Sequence, residues 1–390
     1  MFRGDGAYIK KINKSLILEQ IIKHQSISRA DLSKITGLNK ATVSVQVAEL
    51  LEKELINESR ADHNSVGRRP VLLSINKTAG HVLGVDFDDQ IIKFVISDLA
   101  GNIVSRYVYV YEVMEYKTIV TLLAKQINQY VEDYSHLNYG LISCVIGVHG
   151  TVDKEQTIQF IPKLKWSDIS LKEDLEELIE IPLTIENNVN LSALGEKAFH
   201  FQDTSHLLSI NLSSGIGAGR MLDWEMDKGY QGFSGEMGHM IISPIGPKCS
   251  CGNNGCWELY STERSLFKKL SNHLDKENFT FEDFEHLLSM NVTIAQEMMQ
   301  EYIYYVAIGL NNVINIYNPG FVVLNSRVLS KFPNAIQQIK DNLVSNVSSY
   351  ENIVLSKLEG DACVLGGCAL GIRNFFEISE LILDPEDTDH

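Results

Sequence analysis

One histidine and three cysteines lie within an 18-residue span, and these are His239, Cys249, Cys251 and Cys256. Zinc prefers thiolate sulfur and imidazole nitrogen, and four such ligands close a tetrahedral site without leaving a position for a catalytic water. Glycines at positions 252 and 255 leave the loop short and able to fold around an ion. The sequence therefore predicts a structural zinc site. The alternative is three reduced, buried cysteines beside an unrelated histidine.

The cysteine count and the hydropathy pattern bear on the compartment. Six cysteines in 390 residues are too few and too clustered for a disulfide framework. The amino terminus has no apolar segment typical of a secretory signal, and no apolar run of about 18 residues could span a bilayer. We therefore predict a cytoplasmic protein without a membrane partner.

Charge is divided unevenly along the chain. The formal net charge is −16, with 44% hydrophobic and 22% charged residues, a composition that excludes general disorder and allows a large core. Residues 1–70 contain 12 Lys and Arg against 8 Asp and Glu, net +4, whereas residues 71–390 contain 22 against 42, net −20. A basic segment ahead of an acidic body indicates a nucleic-acid-binding module.

The basic segment has the pattern of a helix-turn-helix. Apolar residues at helical spacing predict a first helix from Lys11 to Ile22. Ser28 is a candidate N-cap for a second helix that ends at Gly37, and Asn39 is the candidate N-cap of a third. Two short helices joined by a glycine-containing turn are typical of DNA-binding modules, in which the second helix of the pair is the recognition helix.

Two strands, Leu55–Glu58 and Val71–Ile75, are expected to form a β-wing with paired arginines at its tip. Small exposed side chains let a recognition helix approach the bases, and arginines contact phosphates or enter the minor groove. The candidate DNA contacts are Lys40, Ala41, Thr42, Ser44, Val45, Gln46, Arg68 and Arg69. The alternative is a protein-binding winged helix with a solvated loop.

Helices and apolar strands alternate through the rest of the chain, which predicts an α/β body. The predicted elements are strands at His81–Phe87, Ile91–Asp98, Ile103–Val110, Leu141–Val148, Leu207–Leu212 and Gly320–Leu324, and helices near Thr118–Tyr134 and Ala295–Ile316. A glycine-rich loop is predicted at Ser213–Gly219. Its alternating glycines are only a weak indication of a phosphate cradle and more often form a tight β-connection.

Four motifs in the body resemble the ROK family of sugar kinases and sugar-responsive repressors. They are Gly147–Asp153, Glu186–Asn190, Gly235–His239 and the Cys-x-Cys-Gly-x-x-Gly-Cys-x-Glu run of Cys249–Glu258. The resemblance covers about residues 80–370. The winged head ahead of it is typical of the repressor branch, and the motifs are most similar to those of the xylose repressors of Gram-positive bacteria.

This resemblance implies an actin-like fold with two α/β lobes around a sugar cleft. The implied domains are a winged helix-turn-helix at 1–78, lobe 1 at 79–186 with 370–390 returning to it, and lobe 2 at 187–369. Lobe 2 would carry the zinc site and a dimerisation surface.

The resemblance also implies a set of sugar-binding residues. These are Asn187, Asn188, Glu236, His239 and Glu258, with His149 near one end of the sugar ring. Carboxylates and amides satisfy the hydroxyl donors and acceptors of a polyol, and a zinc ion would hold the ring of His239 in a fixed orientation. The alternative for Glu236 and Glu258 is that both are solvated surface acids.

The same resemblance argues against catalysis. A kinase of this family has an aspartate general base directly after the asparagine, where this chain has Asn188. An amide has no useful proton affinity near neutral pH, and this removes about 10²–10⁴-fold from the chemical step. The family's first phosphate loop, Asp-Gly-Gly-Thr, is Asp86-Phe87-Asp88-Asp89 here. We expect Phe87 to block close backbone approach and the two carboxylates to repel phosphate.

The sequence thus predicts a repressor rather than an enzyme. We expect a homodimer or homotetramer that binds a pseudo-palindromic operator and releases it when a sugar, of xylose type, binds. One alternative is an active sugar kinase with an accessory DNA-binding head. Others are a DNA-binding scaffold that senses a phosphotransferase protein, and weak nucleotide binding without turnover through the loops at 215–219 and 360–367.

Overall fold

The computed structural model describes residues 6–60, 70–88, 90–112 and 115–385. The chain forms two compact units, one of residues 1–191 with 363–390 and one of residues 192–362. The predicted head and lobe 1 both lie in the first unit. The unit boundaries differ by a few residues from those expected at 186/187 and 369/370, because one whole helix near residue 370 packs on the sheet of the first unit.

The head comprises three helices and an antiparallel sheet with strand order β1-β3-β2. Its elements are α1 (Gly6–His24), β1 (Ile27–Ser28), α2 (Arg29–Thr36), α3 (Lys40–Glu52), β2 (Ile56–Arg60) and β3 (Val71–Ile75). The first helix is longer at both ends than the predicted Lys11–Ile22, whereas the predicted caps of α2 and α3 are confirmed. Ser28 accepts a hydrogen bond from the backbone N–H of Asp31, Gly37 ends α2 with φ +71°, and Asn39 caps α3.

The predicted wing is present as an antiparallel pair. β2 and β3 pair from Ile56 opposite Ile75 to Arg60 opposite Val71. The tip of the wing, with the candidate DNA contacts Arg68 and Arg69, lies outside the described residues.

The carboxyl-terminal segment packs on α1 of the head. The Lys11 ammonium lies 2.7 Å from the Glu377 carboxylate, and the Ser15 hydroxyl donates to the Glu377 carbonyl at 2.8 Å. Glu19 accepts a hydrogen bond from the backbone N–H of Ser379 at 2.8 Å, and Leu381 is fully buried. The first unit is therefore closed by contacts between residues at least 360 positions apart.

The rest of the first unit is built on a mixed five-stranded sheet with strand order β11-β7-β4-β5-β6. In chain order, this part of the first unit contains β4 (His81–Phe87), β5 (Ile91–Asp98), β6 (Ile103–Val110), α4 (Tyr116–Asp133), β7 (Leu141–Val148), β8 (Thr151–Val152), β9 (Ile158–Ile161), β10 (Trp166–Ile169), α5 (Leu171–Glu176) and β11 (Leu183–Asn187). Strands β8, β9 and β10 form a separate small sheet. The predicted bounds of β4 to β7 are confirmed. Strands β4, β7 and β11 are parallel, so their carboxyl ends meet at one edge of the sheet.

The second unit has its own five-stranded sheet, with strand order β14-β13-β12-β15-β16. The remaining elements are α6 (Asn188–Phe199), β12 (His206–Leu212), β13 (Ile216–Leu222), β14 (Glu225–Met226), α7 (Glu258–Ser261), α8 (Glu263–Leu274), α9 (Phe281–Ser289), α10 (Thr293–Tyr317), β15 (Phe321–Asn325), α11 (Arg327–Lys331), α12 (Ala335–Asn342), β16 (Asn352–Leu355) and α13 (Ala362–Phe376). Helix α6 crosses the boundary at 191/192, and α13 belongs almost entirely to the first unit.

One predicted loop is largely a strand. Gly217 and Gly219 lie within β13 and pair with Asn211 and Ser209 of β12, so the loop expected at Ser213–Gly219 is only a tight turn between paired strands. The alternating glycines therefore lie in and beside a tight connection between two paired strands. None of the helices in the described ranges combines the length and apolarity needed to cross a bilayer.

Candidate functional site

The four predicted metal ligands converge in the second unit. One ligand atom from each of His239, Cys249, Cys251 and Cys256 lies within 4.8 Å of the other three. The Cys251 and Cys256 sulfurs are 3.6 Å apart, and the Cys249 sulfur is 3.7 Å from Nδ1 of His239. This cluster could hold a metal ion.

Turns in the loop bring the sulfurs together. The backbone N–H of Gly252 donates to the Cys249 carbonyl at 3.1 Å, and Gly252 adopts φ +100°. Gly255 adopts φ +68°, and a Cβ atom there would lie 1.7 Å from the Ser243 carbonyl oxygen. Both positions require glycine, because a side chain is strained at positive φ and the second also lacks room for one.

Two of the three thiols in the cluster hold their protons more tightly than an ordinary cysteine does. Burial and the neighbouring thiols raise the pKa of Cys256 to about 12, and burial also raises the pKa of Cys249. A metal ion binds the deprotonated sulfur and competes with the proton.

The two ring nitrogens of His239 have different surroundings. Nδ1 faces the sulfur of Cys249 and lies 3.5 Å from Oε1 of Glu258, whereas Nε2 lies 3.9 Å from Oε2 of Glu236. A metal at Nδ1 therefore leaves Nε2–H directed toward Glu236. The structure brings together the three residues of the second unit that the resemblance implies as sugar contacts, namely Glu236, His239 and Glu258.

Trp257 anchors the end of this motif. Its ring is fully buried and its Nε1–H donates to the carbonyl of Tyr305 in α10 at 2.9 Å. The ring packs against Gly309 of the same helix, where a Cβ atom would lie 1.9 Å from it. Since Trp257 stands between the ligand Cys256 and Glu258, α10 fixes both. The sequence analysis missed this support, although a tryptophan between two candidate site residues is a visible signal.

The remaining predicted sugar contacts lie in the first unit at the carboxyl edge of its parallel strands. His149 follows β7, Asn187 ends β11 and Asn188 begins α6. The amide of Asn187 donates to the Gly150 carbonyl at 2.7 Å and accepts from the Val189 N–H at 2.8 Å. Asn187 therefore holds the backbone of its neighbours, and only part of its hydrogen-bonding capacity is left for a ligand.

His149 and Asn188 are close to each other and to two aspartates. Nε2 of His149 lies 2.7 Å from Oδ1 of Asp86, and Nδ1 lies 3.5 Å from Nδ2 of Asn188. Nδ1 also lies 3.7 Å from Oδ2 of Asp88, whose other oxygen is 3.0 Å from the Lys163 ammonium. Sequence reasoning missed the pairing of Asp86 with His149, because only the parallel register of β4 and β7 brings them together.

The expectation for Phe87 is wrong. Its side chain is 1% exposed and stacks on Trp166 in the core, with ring centroids 5.6 Å apart, so it does not obstruct the backbone. Successive residues of a strand point to opposite faces of the sheet, and the side chain of Phe87 points to the face that packs in the core. Asp88 does lie at this edge, whereas Asp89 lies outside the described residues.

The recognition helix α3 presents most of its predicted DNA contacts to solvent. Lys40, Ala41 and Ser44 are exposed, Thr42 is half-buried, and Val45 is 61% exposed.

Gln46 is a correction to the predicted set. Its side chain is 4% exposed, with the Oε1 atom buried. Helical periodicity places Gln46 on the same face of α3 as the buried residues Val43, Val47 and Leu50. Its side chain faces the interior of the head, so a base contact by Gln46 is not supported.

Comparison with known proteins agrees with these features. Residues 82–374 match the model of the ROK family, and residues 12–57 match a winged helix-turn-helix DNA-binding model. The chain is 36% identical over 384 residues to the xylose repressor of Bacillus spizizenii, covering 97% of this chain and 99% of that protein. It is also 36% identical over 381 residues to the xylose repressor of Bacillus subtilis, covering 96% and 98%.

Solved structures show the same architecture. A ROK family transcriptional regulator, described as a homologue of the Escherichia coli MLC protein, matches with a TM-score of 0.81 and 23% identity over 95% of this chain and 97% of that chain. A ROK family glucokinase from Streptomyces griseus, in complex with glucose and AMPPNP, matches with a TM-score of 0.67 and 22% identity over 75% of this chain and 99% of that chain. The family model covers most of the body and a winged helix precedes it, and this chain therefore belongs to the ROK family.

Proposed function

We propose that this protein is a sugar-responsive transcriptional repressor of a carbohydrate-utilisation operon, with xylose or a similar sugar as its effector. The observation that carries the proposal is 36% identity to two xylose repressors along almost the whole chain, head included. A family match to the body alone would fit a kinase equally well. The continuous match across both parts favours a protein that binds DNA and senses a sugar.

DNA contact is assigned to the exposed face of α3 and to the wing. Lys40, Ala41, Ser44 and Val45 are exposed. The last three are small enough for close approach to the major groove, and Lys40 can pair with phosphate. Thr42 and the wing residues Arg68 and Arg69 complete the proposed contacts. We propose a homodimer or homotetramer in the cytoplasm, whose paired heads bind a pseudo-palindromic operator, since the symmetry of an operator mirrors that of the protein.

The side chains that we propose for sugar contact are those that the family resemblance implies. They are His149, Asn187, Asn188, Glu236, His239 and Glu258. Each group offers donors and acceptors for hydroxyls, and a neutral sugar needs such pairing rather than an opposite charge. A difference of about 2–3 kcal/mol in sugar affinity between two states of the protein would change operator binding by about 30- to 150-fold.

Zinc is the ion we propose for the His239 cluster. Ligands about 2.3 Å from a tetrahedral zinc ion lie about 3.8 Å from each other. Two of the separations in the cluster are 3.6 and 3.7 Å, and all four ligand atoms lie within 4.8 Å of one another. Three sulfurs and one nitrogen leave no open position, so the ion would hold the loop and orient His239 rather than activate water.

The absence of kinase activity is part of the proposal. Asn188 cannot accept the proton of an attacking hydroxyl, and the ion pair of Asp88 with Lys163 lies at the edge where a phosphate loop would be expected. Both features favour a site that binds sugar without transforming it.

The decisive experiment is footprinting of the purified, zinc-loaded protein on the DNA upstream of its own gene and of the neighbouring operon. We expect a protected pseudo-palindrome that is lost on addition of D-xylose. D-Glucose and D-ribose, tested in parallel, report how narrow the response is. Absence of protection at every protein concentration would refute a repressor, and protection unaffected by any sugar would refute the sugar response.

A further inference from the structure

We propose that His149 selects the sugar through its Nδ1 atom, and that Asp86, Asp88 and Lys163 are positioning residues that prepare this atom. The inference rests on the proposed function, because it concerns how the same effector is recognised. It has a measurable consequence, namely that sugar affinity changes with pH near neutrality.

The first step is that one ring nitrogen of His149 is fixed. Nε2 lies 2.7 Å from Oδ1 of Asp86, the distance of a charge-assisted hydrogen bond in which Nε2–H donates. The two side chains are only 22% and 13% exposed, so water competes weakly for this bond. Since β4 and β7 are paired in register at this edge, the sheet itself sets the orientation of the ring. Nδ1 is then the nitrogen that can change its partner.

The second step is that Nδ1 faces two groups that favour opposite protonation states. Nδ2 of Asn188 lies 3.5 Å away and can donate to Nδ1 only when the imidazole is neutral. Oδ2 of Asp88 lies 3.7 Å away and attracts the ring when Nδ1 carries a proton. Neither separation is that of a tight hydrogen bond, so a ligand atom can replace either partner.

The third step is the balance of charge around the ring. Burial lowers the pKa of His149, but the charge and hydrogen bond of Asp86 and the charge of Asp88 outweigh it, and the pKa is raised overall. Lys163 opposes this, because its ammonium lies 3.0 Å from Oδ1 of Asp88. Beside Asp86 stands the thiol of Cys363, and burial keeps the pKa of that thiol well above its usual range.

A further positive charge lies near this network, because Lys93 of β5 is paired with Asp86 of β4 and its charge acts on the thiol of Cys363. The proton on Nδ1 of His149 is the variable that a ligand can shift.

The ligand shifts it toward the protonated form. A sugar hydroxyl oxygen that accepts from Nδ1–H gains a charge-assisted hydrogen bond, which a neutral ring with its proton on Nε2 cannot offer. Sugar binding therefore takes up a proton whenever His149 of the free protein is partly neutral. If binding raises the histidine pKa by about one unit, the affinity differs about tenfold between acidic and alkaline pH.

Asn188 is the residue that permits this coupling. An aspartate at position 188 would place a third carboxylate beside the ring and hold it protonated with or without sugar. The Asn188 amide carries no charge and therefore does not hold the imidazole of His149 in its protonated state. The residue that distinguishes this chain from the kinases would thus tune the binding of the sugar as well as remove a general base.

The test is calorimetric titration of the full-length, zinc-loaded protein with D-xylose, and in parallel with D-glucose, at about pH 6, 7.5 and 9, a range extended upward because the pKa of His149 is raised above that of an ordinary histidine. Two buffers of different ionisation enthalpy report the number of protons taken up. We expect the affinity to fall about tenfold from the lowest pH to the highest, with net proton uptake at neutral pH.

Variants separate the roles of the residues. His149→Gln should weaken binding and abolish its pH dependence, because an amide does not titrate in this range. Lys163→Ala should move the pH dependence to higher pH, since Asp88 then acts unopposed on the imidazole. Lys154→Ala, which removes an exposed lysine between β8 and β9, is the matched control and should leave both affinity and pH profile unchanged.

The outcomes distinguish this inference from the proposed function. Equal sugar affinity of the wild-type protein at all three pH values, or a His149→Gln protein that keeps the pH dependence, overturns the inference and leaves the proposed function intact. If neither sugar binds the wild-type protein at any pH, the sugar response fails and the inference fails with it. Lys163 is partly exposed, so its variant tests the same network should His149→Gln fold poorly.

Discussion

Replacing Gly309 by alanine should disturb the metal site without changing any metal ligand. A Cβ atom at this position would lie 1.9 Å from Cε2 of Trp257 and 2.3 Å from two further ring atoms. The ring is fully buried and hydrogen-bonded to the carbonyl of Tyr305, so it cannot move without loss. Any displacement of Trp257 is passed directly to its sequence neighbours Cys256 and Glu258.

The expected cost follows from three opposing contributions. Forcing an extra methyl group into a packed core costs about 1–3 kcal/mol, and loss of the indole hydrogen bond costs about 1 kcal/mol. Alanine in place of a glycine inside a helix stabilises the folded protein by about 0.5–1 kcal/mol. We therefore expect Gly309→Ala to lower the free energy of unfolding by about 1–3 kcal/mol in the wild-type background.

A double-mutant cycle isolates the contact. In a Trp257→Leu background the smaller side chain leaves room for the methyl group, so Gly309→Ala should be neutral or stabilise by up to about 1 kcal/mol. Denaturant unfolding of the zinc-loaded variants, followed by circular dichroism, gives the four free energies. Release of zinc to a chromogenic chelator should be faster in the Gly309→Ala protein than in the wild type.

Gly6→Ala is the control, since a Cβ atom there meets nothing within 4 Å. An equal effect of Gly309→Ala in both backgrounds, together with unchanged zinc release, would show that the contact with Trp257 does not support the metal site.

Four further predictions address the other sites. Cys256→Ser should reduce bound zinc, measured by atomic absorption, to less than about half an equivalent and lower the melting temperature. Val45→Glu should abolish operator binding in a mobility-shift assay and leave the melting temperature unchanged, because Val45 is 61% exposed and a carboxylate repels phosphate. Asn188→Asp should not reach about 1 s⁻¹ in a coupled ATP-dependent kinase assay, because Asp88 still occupies a position where the family's first phosphate loop has glycine; a faster rate would restore the kinase alternative. Burial raises the pKa of Glu196 to about 7, so the folded protein binds this proton more tightly than the unfolded chain. Stability should therefore decline as the pH rises from about 4.5 through 7, by up to about 3 kcal/mol, and Glu196→Gln should remove this decline in pH-dependent denaturation.

Local signals in the sequence predicted much of the fold. The bounds of β4 to β7 and the caps Ser28, Gly37 and Asn39 depend on residues within a few positions of each other, and these agree with the structure. The clustering of His239 with the three cysteines could be predicted for the same reason, because all four lie within 18 residues.

The errors arise where a side chain's environment is set by distant parts of the chain. Gln46 and Phe87 were assigned from residue type and motif position, whereas helix phase and strand alternation turn both into the interior. The pairing of Asp86 with His149 depends on the register of β4 and β7, which are separated along the chain by two strands and a helix. No short-range pattern contains that information, and the network around His149 therefore became visible only in the folded sheet.

The packing of the carboxyl-terminal segment on α1 has a consequence for synthesis on the ribosome. Lys11 emerges 366 residues before its partner Glu377, and at about 5–20 residues per second this interval lasts roughly 20–70 s. During that time the head can fold locally, but the contacts of Lys11, Ser15 and Glu19 with residues 377–379 cannot form. The contact of the Tyr139 hydroxyl with the Lys53 carbonyl can form much earlier, so an incomplete chain has a DNA-binding head that is attached to the body at fewer points than in the finished protein.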